Sequence, residues 1–350
     1  MLERPALDDS TLVAGLRDGY GLAIERLTFI PLGNDSAAWT YHATASDATA
    51  WFVKVRRDAR LAGILVPRFL RDNGLVEVVA ARPSRNGEPW LDIGAWTVLV
   101  YPFVDSPRAM EAGMDERSWA RLGGFAARLH GTVLPPDLAA IVPREDFQPK
   151  ATAMARRVAR HVEADARSEP PRDEIAERLV VAWRAHRQPI ERVVRRTEEL
   201  SRRIRDRAGT ARSLRFVLCH ADLHAGNVLV DVDGNLSIVD WDEVVLAPVE
   251  RDLMFVRGSA VAGVVSDREA TAFEGGYGTS EADPLLIAWY RMDWAVQDLA
   301  DFARRVLLDP ELGTATRVRA LALFESIFEP GGEAEGALAA DEQIVRSQTI

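Results

Sequence analysis

The chain has 350 residues, 47% of them apolar and 27% charged, with a formal net charge of −10; this is a globular composition long enough for two lobes, each with its own core. The negative charge argues against a nucleic-acid partner, whose phosphates it would repel, and no stretch approaches the roughly 18–20 consecutive apolar residues of a membrane span. The opening MLERPALDDS lacks the apolar core of a secretory signal, and the single cysteine, Cys219, excludes an internal disulfide, so a reducing cytoplasm is the expected location.

The first hundred residues read as strand-rich. Residues 23–32, 37–45 and 50–56 form three successive candidate strands, the first two joined by the turn-forming Pro31-Leu-Gly33-Asn-Asp35-Ser36. A helix is predicted over 58–70, stopped by Asn73-Gly74. Further strands are predicted over 76–80, 89–93 and 95–103. Beyond Val104-Asp-Ser-Pro107 the pattern turns helical, with Trp119, Leu122, Ala126 and Leu129 at 3–4 spacing. An arginine-rich section follows, broken at Glu169-Pro-Pro171 and Pro189. Its stripe Ile190, Val193, Val194, Thr197, Leu200, Ile204 marks a buried helix face, and the interleaved glutamates make the arginines a solvated one. Phe273-Glu-Gly-Gly-Tyr-Gly278 reads as a helix end, and Asp283-Pro284 as the cap of a strong helix. The expected organisation is α+β. A small antiparallel sheet with one helix occupies residues 1–103, and a mainly helical region spans 104–350, with a helical insert over 145–208 and a frayed tail over 331–350.

Of 43 basic residues only Lys54 and Lys150 are lysines. Lys54 lies inside the apolar strand Trp51-Phe-Val-Lys54-Val55, where an ammonium requires an anion nearby.

The densest chemistry is Val217–Asp242, VLCHADLHAGNVLVDVDGNLSIVDWD. Val228–Val230 and Leu236–Val239, turned at Asp233-Gly234, read as a hairpin. Antiparallel pairing brings Asp222 and Asn227, before its first strand, to the same end as Asp240, after its second. Two hard oxygen ligands beside a third carboxylate suit Mg²⁺ and phosphate chemistry. The spacing His220-x-Asp222-x-x-x-x-Asn227 is the catalytic-loop arrangement of kinases that act on small molecules: the aspartate accepts the attacking hydroxyl's proton and the asparagine binds magnesium. Asp240, thirteen residues on, stands where such enzymes place their second magnesium ligand. His220 is expected to brace this loop, and Cys219 to be core.

The string HADLHAGNVL…IVDWDEVVLAPVERDLMFV, with IPLGNDSAAW, WFVKVR, LVYPFVDS and FEGGYG, resembles the aminoglycoside phosphotransferase family, spectinomycin phosphotransferases above all, over most of residues 20–305. The resemblance implies a bilobal protein-kinase-like fold and ATP- and Mg²⁺-dependent transfer of the γ-phosphate to an antibiotic hydroxyl. It assigns Asp222 as catalytic base and Asn227 and Asp240 as metal ligands. Lys54 would hold the α- and β-phosphates, and the Gly33–Ser36 loop, including Asp35, would cover them. Val100, Tyr101 and Phe103 would form an adenine-binding hinge, and Leu229 and Val239 the pocket floor. The chain departs from the pattern in one respect: residues 55–74 contain no glutamate to pair with Lys54. A cationic aminocyclitol needs carboxylates, for which Asp242, Glu243, Asp293, Asp298 and Asp301 are candidates; Trp241 and Trp294 are either ring-flanking or core. A monomer or weak dimer is expected. The acceptor stays open among spectinomycin and choline, homoserine, thioribose or macrolide-type alcohols. Two other classes are a hydrolase with His220, Asp222 and His224 as metal ligands, and an inactive nucleotide-binding module.

Overall fold

Alternation in the first hundred residues becomes a five-stranded antiparallel sheet, and the helical periodicity beyond becomes a set of helices arranged around one long one. The computed structural model describes residues 2–31, 33, 35, 37–164, 173–208, 214–256, 265–278, 281–309 and 311–347. Ser36, the break over 169–171 and most of the apolar segment after Arg257 lie outside these. The chain divides into two compact units, Met1–Pro143 with His220–Val245, and Arg144–Cys219 with Leu246–Ile350. These differ from a boundary at residue 103, because residues 104–143 and the hairpin pack with the sheet-bearing unit.

In the first unit, α1 (Asp9–Tyr20) precedes β1 (Ile24–Ile30), β2 (Ala38–Ala45) and β3 (Ala50–Arg56), followed by α2 (Leu61–Asp72), β4 (Leu91–Ile93) and β5 (Trp96–Pro102), with sheet order β1-β2-β3-β5-β4. Helix α1 went unforeseen; its signals are Leu12, Leu16 and Tyr20 at i, i+4 spacing and a left-handed Gly21 at its end. It packs those residues on Trp39, Tyr41, Val53, Val55, Val98 and Val100. Because side chains alternate along β3, placing Val53 and Val55 under α1 turns Lys54 and Arg56 to the opposite face. On that face Ile64 of α2 packs with Leu99 and Ala81.

The expected strand at 76–80 is not one. Glu77 carbonyl accepts from Ile238 N–H at 2.7 Å and Val79 N–H donates to Ile238 carbonyl at 3.0 Å, a single parallel bridge around Val78. The segment meets the hairpin and not the sheet, which is why its apolar run gives no ladder. Short helices α3 (Ala109–Ala112) and α5 (Pro136–Ile141) flank α4 (Glu116–His130), which buries Trp119, Leu122, Ala126 and Leu129 as the periodicity predicts.

In the second unit, α6 (Lys150–Ala164), α7 (Glu174–Ala185) and α8 (Arg187–Ala208) lead to the short strand β6 (Val217–Cys219). The stripe from Ile190 to Ile204 is buried throughout, with Thr197 and Leu200 at 0% exposure. The chain then forms the hairpin of the first unit, β7 (Val228–Val230) and β8 (Leu236–Ile238), in the register Val228↔Ile238, Leu229↔Ser237, Val230↔Leu236. Asp231 Oδ1 accepts from Asp233 and Asn235 N–H groups, and Gly234 takes φ +72° to close the turn. After β9 (Val245–Ala247) come α9 (Glu250–Leu253), α10 (Asp267–Tyr277), α11 (Pro284–Leu307), α12 (Thr314–Ser326) and α13 (Glu333–Ser347). Asp283 caps α11 as predicted, accepting from Leu285 N–H at 3.0 Å, and Glu250 in turn accepts the Asp283 N–H at 2.8 Å. Helices α6, α8, α12 and α13 pack around α11.

Within the tail predicted to fray over 331–350, residues 348–350 lie outside the described residues and residues 333–347 form α13. Its small apolar residues Ala334, Ala337 and Ala340, with Ile344, let the helix approach closely and are buried. Arg196 grips Asp341 through two bonds, at 2.9 and 2.6 Å. Among the described residues no helix is long and apolar enough to cross a membrane. Removing residues 333–350 is therefore expected to lower the thermal midpoint by on the order of 10 °C, the scale of one buried isoleucine, several alanines and a partly buried ion pair. An unchanged melting curve would contradict the packing.

Candidate active site

Two short loops and one strand, all within the first unit, converge on a cluster of carboxylates and cations. The loop between β6 and β7 carries Asp222 and Asn227. Ala221 beside Asp222 takes φ +69°, a left-handed conformation that non-glycine residues rarely adopt and that clusters at functional sites. A 3₁₀ turn, Ala225–Asn227, leads into β7, with His224 Nδ1 accepting from Gly226 N–H at 2.9 Å. Asn227 Nδ2 donates to the Asp222 backbone carbonyl at 2.9 Å and to its Oδ2 at 2.7 Å. The carboxylate of Asp222 is thus fixed from one side, with His224 Nε2 at 3.5 Å from its Oδ1.

His220 is fully buried and ties this loop to the segment after β8. Its Nδ1 accepts from Asp222 N–H at 3.3 Å and its Nε2 lies 3.0 Å from the Val239 carbonyl, an arrangement that places the proton on Nε2. With both ring nitrogens engaged, His220 cannot ligate a metal, which removes the hydrolase reading. Val239 N–H donates to Asn227 carbonyl at 3.0 Å, completing the join. Trp241 is core: it packs 4.5 Å from the His220 ring and donates through Nε1 to the Ile238 carbonyl at 3.2 Å. Cys219 in the second unit is likewise core, its thiol turned to the Ala247 and Pro248 carbonyls and pushed up in pKa by burial.

Asp240, the residue after Val239, has φ +61°, a second left-handed non-glycine position in this cluster. Lys54 supplies the opposite charge: its Nζ lies 3.0 Å from Asp240 Oδ1 and 2.7 Å from Asp242 Oδ2. Burial would lower the Lys54 ammonium, but Asp240 and Asp242 outweigh it and hold its pKa above the ordinary range. The partner absent from α2 is therefore found after β8. Arg56, with 0% exposure, also bonds Asp242 and reaches Asp35 at 2.9 Å and Asp58 at 3.0 Å. Burial would raise Asp35, yet Arg56 and the Ala37 N–H hold its carboxyl below the usual value. Glu243 pairs with Arg60. Gly33, with φ +93°, begins the loop that Asp35 anchors.

Of the expected hinge, Val100 carbonyl accepts from Arg82 N–H at 2.7 Å and Phe103 N–H donates to Ala50 carbonyl at 3.2 Å, so these two groups have partners within the unit. Burial raises the Tyr101 phenol far out of reach of neutral pH. Leu229 and Val239 are half-buried, whereas their neighbours Val228 and Ile238 are completely buried.

Asp293, Asp298 and Asp301 belong to α11 in the second unit. Asp301 is held by Arg304 at 2.7 Å and by Arg305. Asp298 hydrogen-bonds Glu333, whose carboxyl is pushed up by burial and by that carboxylate. Asp293 is buried; Gln297 donates to its Oδ2 at 2.6 Å, while among the described residues its buried Oδ1 has no hydrogen-bond partner. Burial, opposed by Arg251, pushes this carboxyl up to about 6.

The donors available to a cation, the carboxylates of Asp222 and Asp240 and the amide oxygen of Asn227, are all hard oxygens and suit Mg²⁺. Lys54 and Asp242 are separate candidates in sequence; their pairing has no local signal, since they stand 188 positions apart along the chain.

The chain resembles known proteins over most of its length. Residues 27–294 match the model of the phosphotransferase enzyme family. Protein StrN of Streptomyces griseus is 26% identical over 294 residues, covering 83% of this chain and 82% of that protein. The solved structure of spectinomycin phosphotransferase APH(9)-Ia with ADP and spectinomycin superposes with a TM-score of 0.85 at 26% identity, covering 97% of this chain and all of that one. An aminoglycoside phosphotransferase from Alicyclobacillus acidocaldarius, 15% identical, shares the fold at a TM-score of 0.60 over 99% of this chain and 98% of its own.

Two substitutions test this geometry. A Cβ on Gly63 of α2 would lie 2.8 Å from the Trp241 carbonyl and 3.0 Å from Asp242 Cα, both backbone atoms. Gly63→Ala is expected to cost about 1–2 kcal/mol net, overpacking outweighing the helix gain, read as a lower urea midpoint; an unchanged or higher midpoint would separate α2 from Trp241-Asp242. For Asp293 the folded pKa of about 6 exceeds the unfolded value of 3.8. Its contribution is therefore complete below the unfolded pKa and lost as pH rises through about 6. Asp293→Asn should gain up to 2–3 kcal/mol relative to wild type between pH 5 and 8, roughly two pKa units' worth; parallel pH–stability curves for the two proteins would refute it.

Proposed function

The chain belongs to the phosphotransferase enzyme family, and on that premise we propose that it uses ATP and Mg²⁺ to phosphorylate a hydroxyl of an aminocyclitol antibiotic, spectinomycin first among candidates. The observation that carries the reading is the Asp222–Asn227 pair joined through His220 and Val239 to Asp240 and Lys54. The enzyme class itself, a kinase acting on a hydroxyl, follows from the family. The acceptor rests on the resemblance to an enzyme solved with ADP and spectinomycin.

In this reading Asp222 accepts the proton of the attacking hydroxyl. Its carboxylate is oriented by Asn227, so the accepting oxygen is aimed before substrate arrives. Asn227 and Asp240 hold the metal, which supplies charge neutralisation at the phosphates when bound. Lys54 takes the α- and β-phosphates, and the Gly33–Ser36 loop, tied at Asp35 to Arg56, covers them. Adenine meets the 100–103 segment, over Leu229 and Val239. For a protonated amine of the acceptor, Asp293 is favoured, because among the described residues its Oδ1 has no hydrogen-bond partner. Asp242 and Glu243 already face Lys54, Arg56 and Arg60 and serve the phosphate side in preference to the antibiotic.

The decisive assay is Mg²⁺-dependent ATP consumption over spectinomycin, aminoglycosides, macrolides and choline-like alcohols. Turnover with spectinomycin is expected. Transfer only to a non-aminocyclitol alcohol would replace the acceptor, and no turnover with any would sink the reading. Asp222→Asn is expected to keep ADP binding within about threefold while lowering kcat by roughly 10²–10⁴-fold, the range of general-base catalysis; unchanged kcat would remove Asp222 as the base.

A further inference from the structure

Lys54 has two carboxylate partners that differ in character. The side chain of Asp242 is 14% exposed and lies 2.7 Å from Nζ, while that of Asp240 is 48% exposed and lies 3.0 Å away. Asp242 is locked from behind by Arg56, itself fully buried and anchored on Asp35 and Asp58. Helix α2, the element on this face of the sheet, has no acidic residue in its first turn. It also approaches too closely to carry a reaching side chain at Gly63, where an added Cβ would strike Trp241 carbonyl and Asp242 Cα. The space beside Gly63 on α2 is taken by the Trp241-Asp242 backbone.

We infer that Asp242 is the positioning residue for Lys54, replacing a helix carboxylate, and that Asp240 is an exchangeable partner that leaves the lysine when a nucleotide and its cation arrive. Asp242 Oδ2, held by Lys54 and Arg56, is thereby kept on the lysine and away from the metal. The Arg56 bonds to Asp35 and Asp242 couple Asp35 to the same carboxylate. This inference rests on the proposed nucleotide site.

The chain offers a selective probe, because its only lysines are Lys54 and Lys150. Protein labelled with ¹³C at the lysine ε-carbon gives two signals, assigned with Lys54→Met. Lys150, 76% exposed, is the internal reference. ADP in the presence of a chelator is expected to shift the Lys54 signal of wild type. Asp242→Asn should leave that signal unmoved and weaken metal-free ADP binding about tenfold, with adenosine affinity unchanged. The double variant with Lys54→Met should bind ADP no worse than the poorer single variant, because the two residues act as one unit. Asp240→Asn, at an exposed left-handed position that asparagine tolerates, should retain the Lys54 response and ADP affinity within threefold in chelator.

Equal ADP binding by Asp242→Asn, multiplicative losses in the double variant, or loss of the lysine response in Asp240→Asn would each overturn the assignment. If Asp242→Asn does not fold, the Asp240→Asn comparison still decides it. A wild type that binds no ADP removes the nucleotide reading together with this inference, whereas a wild type that binds while Asp242→Asn is unaffected removes this inference alone.

Discussion

An ammonium held in a partly dehydrated site by two carboxylates organises this protein's sheet-bearing unit. Desolvating a cation costs several kcal/mol, and the arrangement persists only because Lys54 meets Asp240 and Asp242 together. The requirement reaches backward into β3, where alternation with Val53 and Val55 sends Lys54 to the face opposite α1. It reaches forward into the hairpin, whose register delivers Asp240 and Asp242 to the same place. Gly63 belongs to the same constraint, because α2 must approach the Trp241-Asp242 backbone for the cluster to close. Leaving any one of these charges without its partners would strand the others.

The second organising device is a buried imidazole ring. His220 is buried between two backbone segments and uses both ring nitrogens, so Asp222 and Val239 keep a fixed relation. The backbone bond from Val239 to Asn227 repeats the tie. Ala221 and Asp240 both take left-handed conformations next to the carboxylates that these ties aim. Strain of order 1–3 kcal/mol at such positions is tolerated when surrounding hydrogen bonds over-determine the loop, as they do here. The proposed base and the proposed metal ligands are thus oriented by the protein before any substrate is present.

Charge on α11 illustrates why sequence position is a poor guide to carboxylate availability. Asp293, Asp298 and Asp301 look alike as helix acids, yet each has a different environment. Asp301 is neutralised by two arginines, Asp298 faces Glu333 of α13, and Asp293 is buried with one oxygen unpartnered. For Asp293, burial pushes the carboxyl up to about 6, and among the described residues its Oδ1 has no hydrogen-bond partner. Helix α13 contributes to this distinction, because its small residues let it cover α11 closely.

The sequence by itself determined whatever local spacing encodes. The hairpin with its Asp-Gly turn, the five-residue interval from Asp222 to Asn227, the strand around Lys54, the α8 stripe and the Asp283-Pro284 cap were all legible, because each depends on neighbours within a few residues. Helix α1 was also encoded, in Leu12, Leu16 and Tyr20, but is short and polar-flanked enough to pass for a leader to the sheet. The partner of Lys54, the capture of residues 76–80 by β8, and the docking of α13 on α11 were decided only by tertiary structure. Each joins residues far apart in the chain, and in the tail the apolar surface is supplied by small alanines whose burial depends on the helix they meet. A lysine in a strand announces that an anion must be near; which carboxylate answers is set by how closely one helix can approach another segment's backbone.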